Sequence, residues 1–215
     1  MSEGPIILVS NSQRRIELLR KAGTNPVKVL LDVDEKDIFI AEKNFKDYSR
    51  KLALWKLHCY RINKKLKPNE LVITADTTVV FNNMVFGKPK NVFEAKQILL
   101  KLRGNTHTVT TGVVVLQGNK VFSLTKSTIV KFRQYSTHEI DDYIKTGLPF
   151  DRAGSYGIQD KPFLPVDSYV GCYLNIVGLP LCEIQSIFSC LSRKINTLEC
   201  SITCRPELSA KELEN

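Results

Sequence analysis

A short, unbroken apolar run near the start of the chain, Pro5-Ile6-Ile7-Leu8-Val9, gives way at once to a polar turn, Ser10 to Gln13. Leu18, Leu19 and Ala22 then recur at helical spacing before Gly23. An apolar run without polar alternation reads as a strand buried on both faces, and a glycine after the last periodic position reads as a helix stop. The opening unit is therefore strand, tight polar turn, helix. It limits the chain to architectures in which helices cover a sheet.

The same alternation continues downstream. Tyr48, Lys51, Leu52 and Trp55 mark a second helix with Lys56 near its end. Leu71-Val72-Ile73-Thr74-Ala75 is a second buried strand, with Asp76 at its C-terminal end. Val79–Phe81 and Met84–Phe86 flank Asn82-Asn83 as a two-residue hairpin that leads into Gly87-Lys88-Pro89. Ala95, Ile98, Leu99 and Leu102 predict a third helix, closed by Gly104. Thr106–Leu116 and Val121–Phe132 predict a long hairpin. Ser136 and Glu139 form a capping-box pattern ahead of Ile140, Tyr143 and Ile144. Residues 148 to 168 read as loop, Tyr173–Val177 as a strand, and Ile184, Ile187, Phe188 and Leu191 as the face of a last helix. Crossover and hairpin connections together predict an α/β fold, an elongated mixed sheet with flanking helices and a central cleft.

The chain has 215 residues, 43% of them hydrophobic, enough to bury a core without a disulfide or metal staple. We expect one domain over residues 1–195 and a polar tail of weak periodicity over 196–215, free to be flexible. No leader pattern opens the sequence, and the early apolar run is too short to span a bilayer, so the expectation is a cytoplasmic protein without a membrane partner. Six cysteines include no Cys-x-x-Cys pair and no zinc-ligand spacing. Cys200 and Cys204, four apart, make a poor metal site by themselves. Lys plus Arg number 31 against 22 acids, a formal charge of +9 that favours anionic partners. The charge is dispersed, and the Lys64-Lys65-Leu66-Lys67 cluster reads as a solvated loop.

Three clusters carry chemistry. A helix that starts directly after a buried strand offers unpaired N–H groups and a positive dipole end. Ser10, Asn11 and Ser12 add short donors there, and Arg14 and Arg15 add two planar cations suited to phosphate. Taken alone, Ser-x-Arg-Arg reads equally as a surface pair. Asp76 lies where ligands gather in open α/β sheets, although an isolated Asp after a strand is usually a turn residue. Asp32, Asp34, Glu35 and Asp37 form a local acidic cluster from which Glu35 could supply a second carboxylate. Lys56 and Lys88 are candidate phosphate contacts that otherwise read as solvated. In Asp151–Gln159, Gly154 and Gly157 suit close backbone approach to a ligand, and Gln159 can read a base edge; a purely structural loop fits as well. His58, His107 and His138 have no partner motif.

Together and in this order, these segments resemble the Maf family of nucleotide pyrophosphatases. The likeness runs from about Ile6 to Leu191 and includes Ser12–Leu19, Lys51–Lys56, Ala75-Asp76-Thr77, Gly87-Lys88-Pro89, Leu102–His107, Asp151–Gln159 and Val177–Leu181. The resemblance implies an elongated cleft fold related in shape to inosine triphosphatases, and hydrolysis of a nucleoside triphosphate to monophosphate and pyrophosphate. It implies Asp76 as proton acceptor, and Arg14, Thr77 and Gln159 at specificity positions. Ser12, Arg15, Glu35, Lys56 and Lys88 fall at phosphate- and metal-handling positions. A divalent cation (Mg²⁺ or Mn²⁺) held by Asp76 and Glu35, and a homodimer, follow from the same likeness. The Gly-x-Tyr-Gly-Ile-Gln form is similar to the subgroup acting on dTTP and UTP. The alternatives are 7-methyl-GTP, a non-canonical purine triphosphate, or a non-catalytic protein that binds nucleotides or nucleic acid. Two departures flank the site: Gln13 stands where the family usually has proline, and Asp160-Lys161-Pro162-Phe163 replaces a glycine-rich stretch.

Overall fold

Ile6–Val9 (β1), Val27–Val29 (β2), Leu71–Phe81 (β3), Met84–Phe86 (β4), Thr106–Gln117 (β5), Lys120–Phe132 (β6) and Val166–Val170 (β7) build a seven-stranded sheet. The computed structural model describes residues 4–31, 45–67 and 69–196. The strand order is β2-β1-β3-β5-β6-β7, with β4 paired to the far end of β3. β1 runs parallel to β2 and β3, and every other pair is antiparallel. The helices are Gln13–Lys21 (α1), Phe45–Asn63 (α2), Val92–Leu102 (α3), Thr137–Lys145 (α4), Tyr173–Val177 (α5) and Leu181–Cys190 (α6). The expected mixed α/β class is what the chain adopts.

The alternation of side chains along β1 explains why its run is apolar throughout. Leu8 joins the larger core under α1, α3, α4 and α6, whereas Ile7 and Val9 join a second core under α2, with Ala53, Leu57 and Tyr60. Each such buried aliphatic side chain contributes about 1.5–3 kcal/mol. The turn Asn82-Asn83 has φ of 48° and 59°, the left-handed pair that a two-residue hairpin requires. In α4, Ser136 Oγ accepts the Glu139 N–H at 3.1 Å and Glu139 Oε2 accepts the Ser136 N–H at 2.8 Å, completing the capping box.

Several elements differ from the sequence expectation. β3 does not stop at Ala75 but continues to Phe81, which places Asp76 inside the strand rather than at its end. α2 extends to Asn63, so Lys56 sits in its middle. Tyr173–Val177 is helical, and the strand of that region is Val166–Val170, which starts inside the segment read as loop and runs past its end. Periodicity cannot separate a short buried helix from a strand when every position is covered, as Leu174 to Val177 are. Cys172 Sγ accepts the Asn175 N–H at 3.4 Å to start the helix, and Leu174 O accepts the N–H groups of Gly178 and Leu179 at 3.0 and 2.9 Å to end it. β2 is only three residues long and mostly exposed, so it carries no strong sequence signal. The acidic cluster around Glu35, and Cys200 and Cys204, lie outside the described residues. Among the described residues no helix is long and apolar enough to cross a membrane.

Candidate active site

The site arises from a gap in the sheet. β1 pairs with β3 only as far as Val9 opposite Thr74, and β4 pairs with β3 only from Val79 onward. Among the described residues, the stretch from Ala75 to Thr78 therefore has a neighbouring strand on one side alone, β5. A cavity of about 540 Å³ occupies the gap, within the range of small-molecule sites. Alternate residues of a strand face opposite sides of the sheet. Asp76 and Thr78 meet the cavity from the α2 face, and Thr77 and Val79 from the other.

On the α2 side, close packing sets the geometry. Gly112 lies opposite Asp76 on β5, and a Cβ there would stand 2.2 Å from Arg50 N, so only glycine lets the helix backbone come this near. Thr74 Oγ1 donates to Ala53 O at 2.7 Å and fixes the helix along its axis. Lys56, one turn further on, then reaches Asp76 Oδ1 at 2.6 Å, with both side chains largely buried. The second carboxylate oxygen has no protein partner among the described residues, and Asp76 lines the cavity. A carboxylate oriented by an ammonium, with one oxygen left over, can accept a proton or bind a cation.

On the opposite side, Arg15 is committed to structure. It is 8% exposed, and it donates to Gly178 O at 2.9 Å, Ser10 Oγ at 3.0 Å and Thr77 Oγ1 at 2.9 Å. It ties the first turn of α1 to the end of α5 and to β3. Ser12 is the N-cap of α1, yet its hydroxyl makes no capping bond and lines the cavity. The start of α1 thus presents donors to an anion.

The rim crowds positive charge. Arg14 Nη2 donates to Asp151 O at 3.1 Å, while its buried Nε has no hydrogen-bond partner among the described residues. Burial, with the nearby guanidiniums of Arg152 and Arg15, pulls the Arg14 pKa down to about 10, so it remains a cation at neutral pH. Lys88 pairs with Asp151 at 2.5 Å. Burial opposes the charged form of Asp151, but the bond and charge of Lys88, with Arg14 and Arg152, outweigh it and hold the carboxyl below the usual carboxylate range. Such a rim, cationic and only partly neutralised, suits a polyanion.

The segment after Asp151 is anchored by the residues that replace the glycine-rich stretch. Arg152 grips Asp160 through Nε at 3.1 Å and Nη2 at 3.2 Å, and Tyr143 donates its hydroxyl to Asp160 at 2.6 Å. Phe163 stacks on Tyr143 at 4.5 Å. At Gly154, φ is +68° and an added Cβ would lie 2.7 Å from Val79, so glycine lets this loop close on β3, where its N–H bonds Gly87 O at 3.0 Å. Tyr156 enters the cavity wall, with its hydroxyl 2.8 Å from His107 Nε2.

Of the residues expected from sequence, Ser12, Arg14, Arg15, Lys56, Asp76, Thr77 and Lys88 line one cavity. Gln159 does not; it is exposed. Glu35 lies outside the described residues. Among those residues no three His, Cys, Asp or Glu side chains converge on a metal position. Asp76 can nevertheless serve as a single protein ligand to a cation that arrives with phosphate oxygens, a common arrangement for Mg²⁺. Tyr48, Thr78 and Tyr156 also line the cavity, and no sequence motif marks them as site residues. Tyr48 stood in the sequence only as a helix-face residue, and Tyr156 only inside the glycine motif.

Comparison with known proteins gives consistent matches. The family of Maf-like proteins matches residues 5–191. A dTTP/UTP pyrophosphatase of Clostridium botulinum (strain Kyoto / Type A2) is 40% identical over 186 residues, covering 85% of this chain and 94% of its own. A dTTP/UTP pyrophosphatase of Dictyoglomus thermophilum is 41% identical over 188 residues, 86% of this chain and 94% of its own. Among solved structures, the Ham1 protein of Staphylococcus aureus overlaps 60% of this chain and 72% of its own at 15% identity, with a TM-score of 0.39.

Proposed function

As this chain belongs to the Maf family, we propose that it hydrolyses nucleoside triphosphates, dTTP and UTP foremost, to the monophosphate and pyrophosphate. The observation that carries the reading is the Lys56–Asp76 pair facing one cavity with the cationic rim of Arg14 and Lys88. The relatives named for dTTP and UTP favour pyrimidines over the purine alternatives.

Water attacks the α-phosphorus, forming a new P–O bond as the bond to the β,γ-pyrophosphate breaks. Asp76 takes the proton of the attacking water through the oxygen that Lys56 leaves open. Ser12 and the start of α1 hold phosphate oxygens, and Arg14 and Lys88 meet charge that develops on the leaving group, the largest single source of rate in many enzymes. Arg15 acts by fixing the walls. A divalent cation, Mg²⁺ or Mn²⁺, held by Asp76 and by Glu35, would neutralise phosphate charge there. Gln159 is kept as a specificity position, on the strength of the motif alone.

We take the catalytic domain as residues 1–195 with 196–215 as an appended tail, in a cytoplasmic, homodimeric protein. The 5–191 family match supports the domain bound, and sedimentation tests the dimer. The function is tested by a panel of pyrimidine and purine triphosphates, including 7-methyl-GTP, with pyrophosphate detection. Fastest release from dTTP and UTP is expected. A faster purine, or tight salt-sensitive DNA binding without release, would replace the reading.

A further inference from the structure

Behind the cavity wall, a row of hydrogen bonds decides which way Thr77 points its proton. Arg15 Nη2 donates to Thr77 Oγ1 at 2.9 Å, Thr77 Oγ1 lies 2.9 Å from Thr111 Oγ1, and Thr111 Oγ1 donates to the Asn175 carbonyl at 3.1 Å. Thr111 and Asn175 are fully buried. Asn175 is itself held, its Nδ2 donating to Val109 O at 3.0 Å and Thr128 Oγ1 at 2.9 Å.

A guanidinium only donates, a carbonyl only accepts, and each threonine has one proton. With the Thr111 proton on the Asn175 carbonyl, the contact between the threonines is bonded only if Thr77 is its donor. The reverse assignment would set a buried carbonyl against an oxygen lone pair, the unsatisfied arrangement that folded proteins avoid. Thr77 therefore has its proton turned inward and only acceptor capacity left for the cavity it lines.

We infer that Thr111 is a positioning residue that makes Thr77 a one-way acceptor, so the wall at Thr77 receives an N–H from the base of the ligand and rejects a bare nitrogen or carbonyl. The inference rests on the nucleotide reading above. A triphosphate tail offers almost only acceptors at neutral pH, which assigns Thr77 to the nucleoside end. The apolar part of the same lining, with Val109, Ile176 and Tyr156, suits a base rather than phosphate. Thymine and uracil carry an imide N–H where cytosine carries an unprotonated ring nitrogen. The relay thus gives imide bases their advantage through a residue that itself touches no ligand.

The test is steady-state kinetics of the full chain with UTP, dTTP, CTP and dCTP, for wild type, Thr111→Val and Thr111→Ser. Valine removes the acceptor of the Thr77 proton, which is then free to turn toward a cytosine nitrogen. The kcat/KM preference for UTP over CTP should narrow by about tenfold, the worth of one hydrogen bond, through KM and with little change in kcat. Serine should restore the wild-type preference, and Thr111→Ala makes the same test if the valine variant does not fold. An unchanged preference in a folded variant, or equal weakening of UTP and CTP, overturns the proposal. If wild type turns over none of the four, the functional reading fails instead. Equilibrium binding of non-hydrolysable UTP and CTP analogues to the same proteins then decides the role of Thr111 by the same ratio.

Discussion

Asp76 and Lys56, 20 residues apart in the sequence, reach each other from a strand and a helix, and each limits what the other can do. With Oδ1 held by the ammonium, the carboxylate has one oxygen left over, the one that the proposed function assigns to the incoming water. Asp76→Asn keeps the shape and removes the acceptor, so kcat should fall on the order of a hundredfold or more with little change in KM. Near-normal turnover would remove Asp76 from the role. His107 offers a second prediction, on stability. Burial pulls its pKa from 6.5 to about 3, so the folded protein keeps the ring neutral where the unfolded chain takes up a proton. Stability from this group is fully present above pH 6.5 and is lost as pH falls toward 3. Urea unfolding across that window should show a shallower loss for His107→Gln than for wild type. The charged members of the site were legible in the sequence, since Asp76, Arg14 and Arg15 each interrupt or abut an apolar pattern. Thr111, Asn175 and Asp160 were not, because their meaning lies in partners brought close only by the fold.

Among the elements, α2 and the loop after Asp151 do most to shape the cavity. The approach of α2 depends on Gly112, and Gly112→Ala sets a Cβ against the Arg50 backbone rather than a side chain that could swing away. It should destabilise by about 1–3 kcal/mol and lower turnover by shifting Lys56, as read by thermal melting beside kinetics. For the loop, the buried Arg152–Asp160 pair is the lock. Asp160→Ala strands a guanidinium and the Tyr143 hydroxyl and should cost roughly 3–5 kcal/mol, the range for breaking a buried ion pair. A melting temperature equal to wild type would show that the loop is held otherwise. The sequence marked most helices and hairpins because their caps and turns are local. It split β3 in two because Asp76-Thr77-Thr78 interrupts the apolar run, and that polar break is what the cavity uses. It reads α5 as a strand because a short helix buried from Leu174 to Val177 has no solvent face to reveal its period.

At the scale of the whole molecule, a gap in one sheet, bridged by helices on both faces, makes a single cavity with two characters. One side carries a carboxylate and an ammonium, the other a threonine held by Arg15 together with apolar lining, and cations ring the mouth. The mixed sheet could be expected from the order of elements, but the gap could not, since it depends on where β1 and β4 stop along β3. On the proposed reading, in which a cation at Asp76 would share phosphate charge with the rim, removal of divalent metal by EDTA should abolish turnover, and added Mg²⁺ or Mn²⁺ should restore it. The central claim is that this cavity directs water to the α-phosphorus. Hydrolysis of UTP in ¹⁸O-labelled water, with mass analysis of both products, tests it most directly. The account predicts label in UMP and none in pyrophosphate; label in pyrophosphate, or stepwise release of labelled orthophosphate, would contradict it.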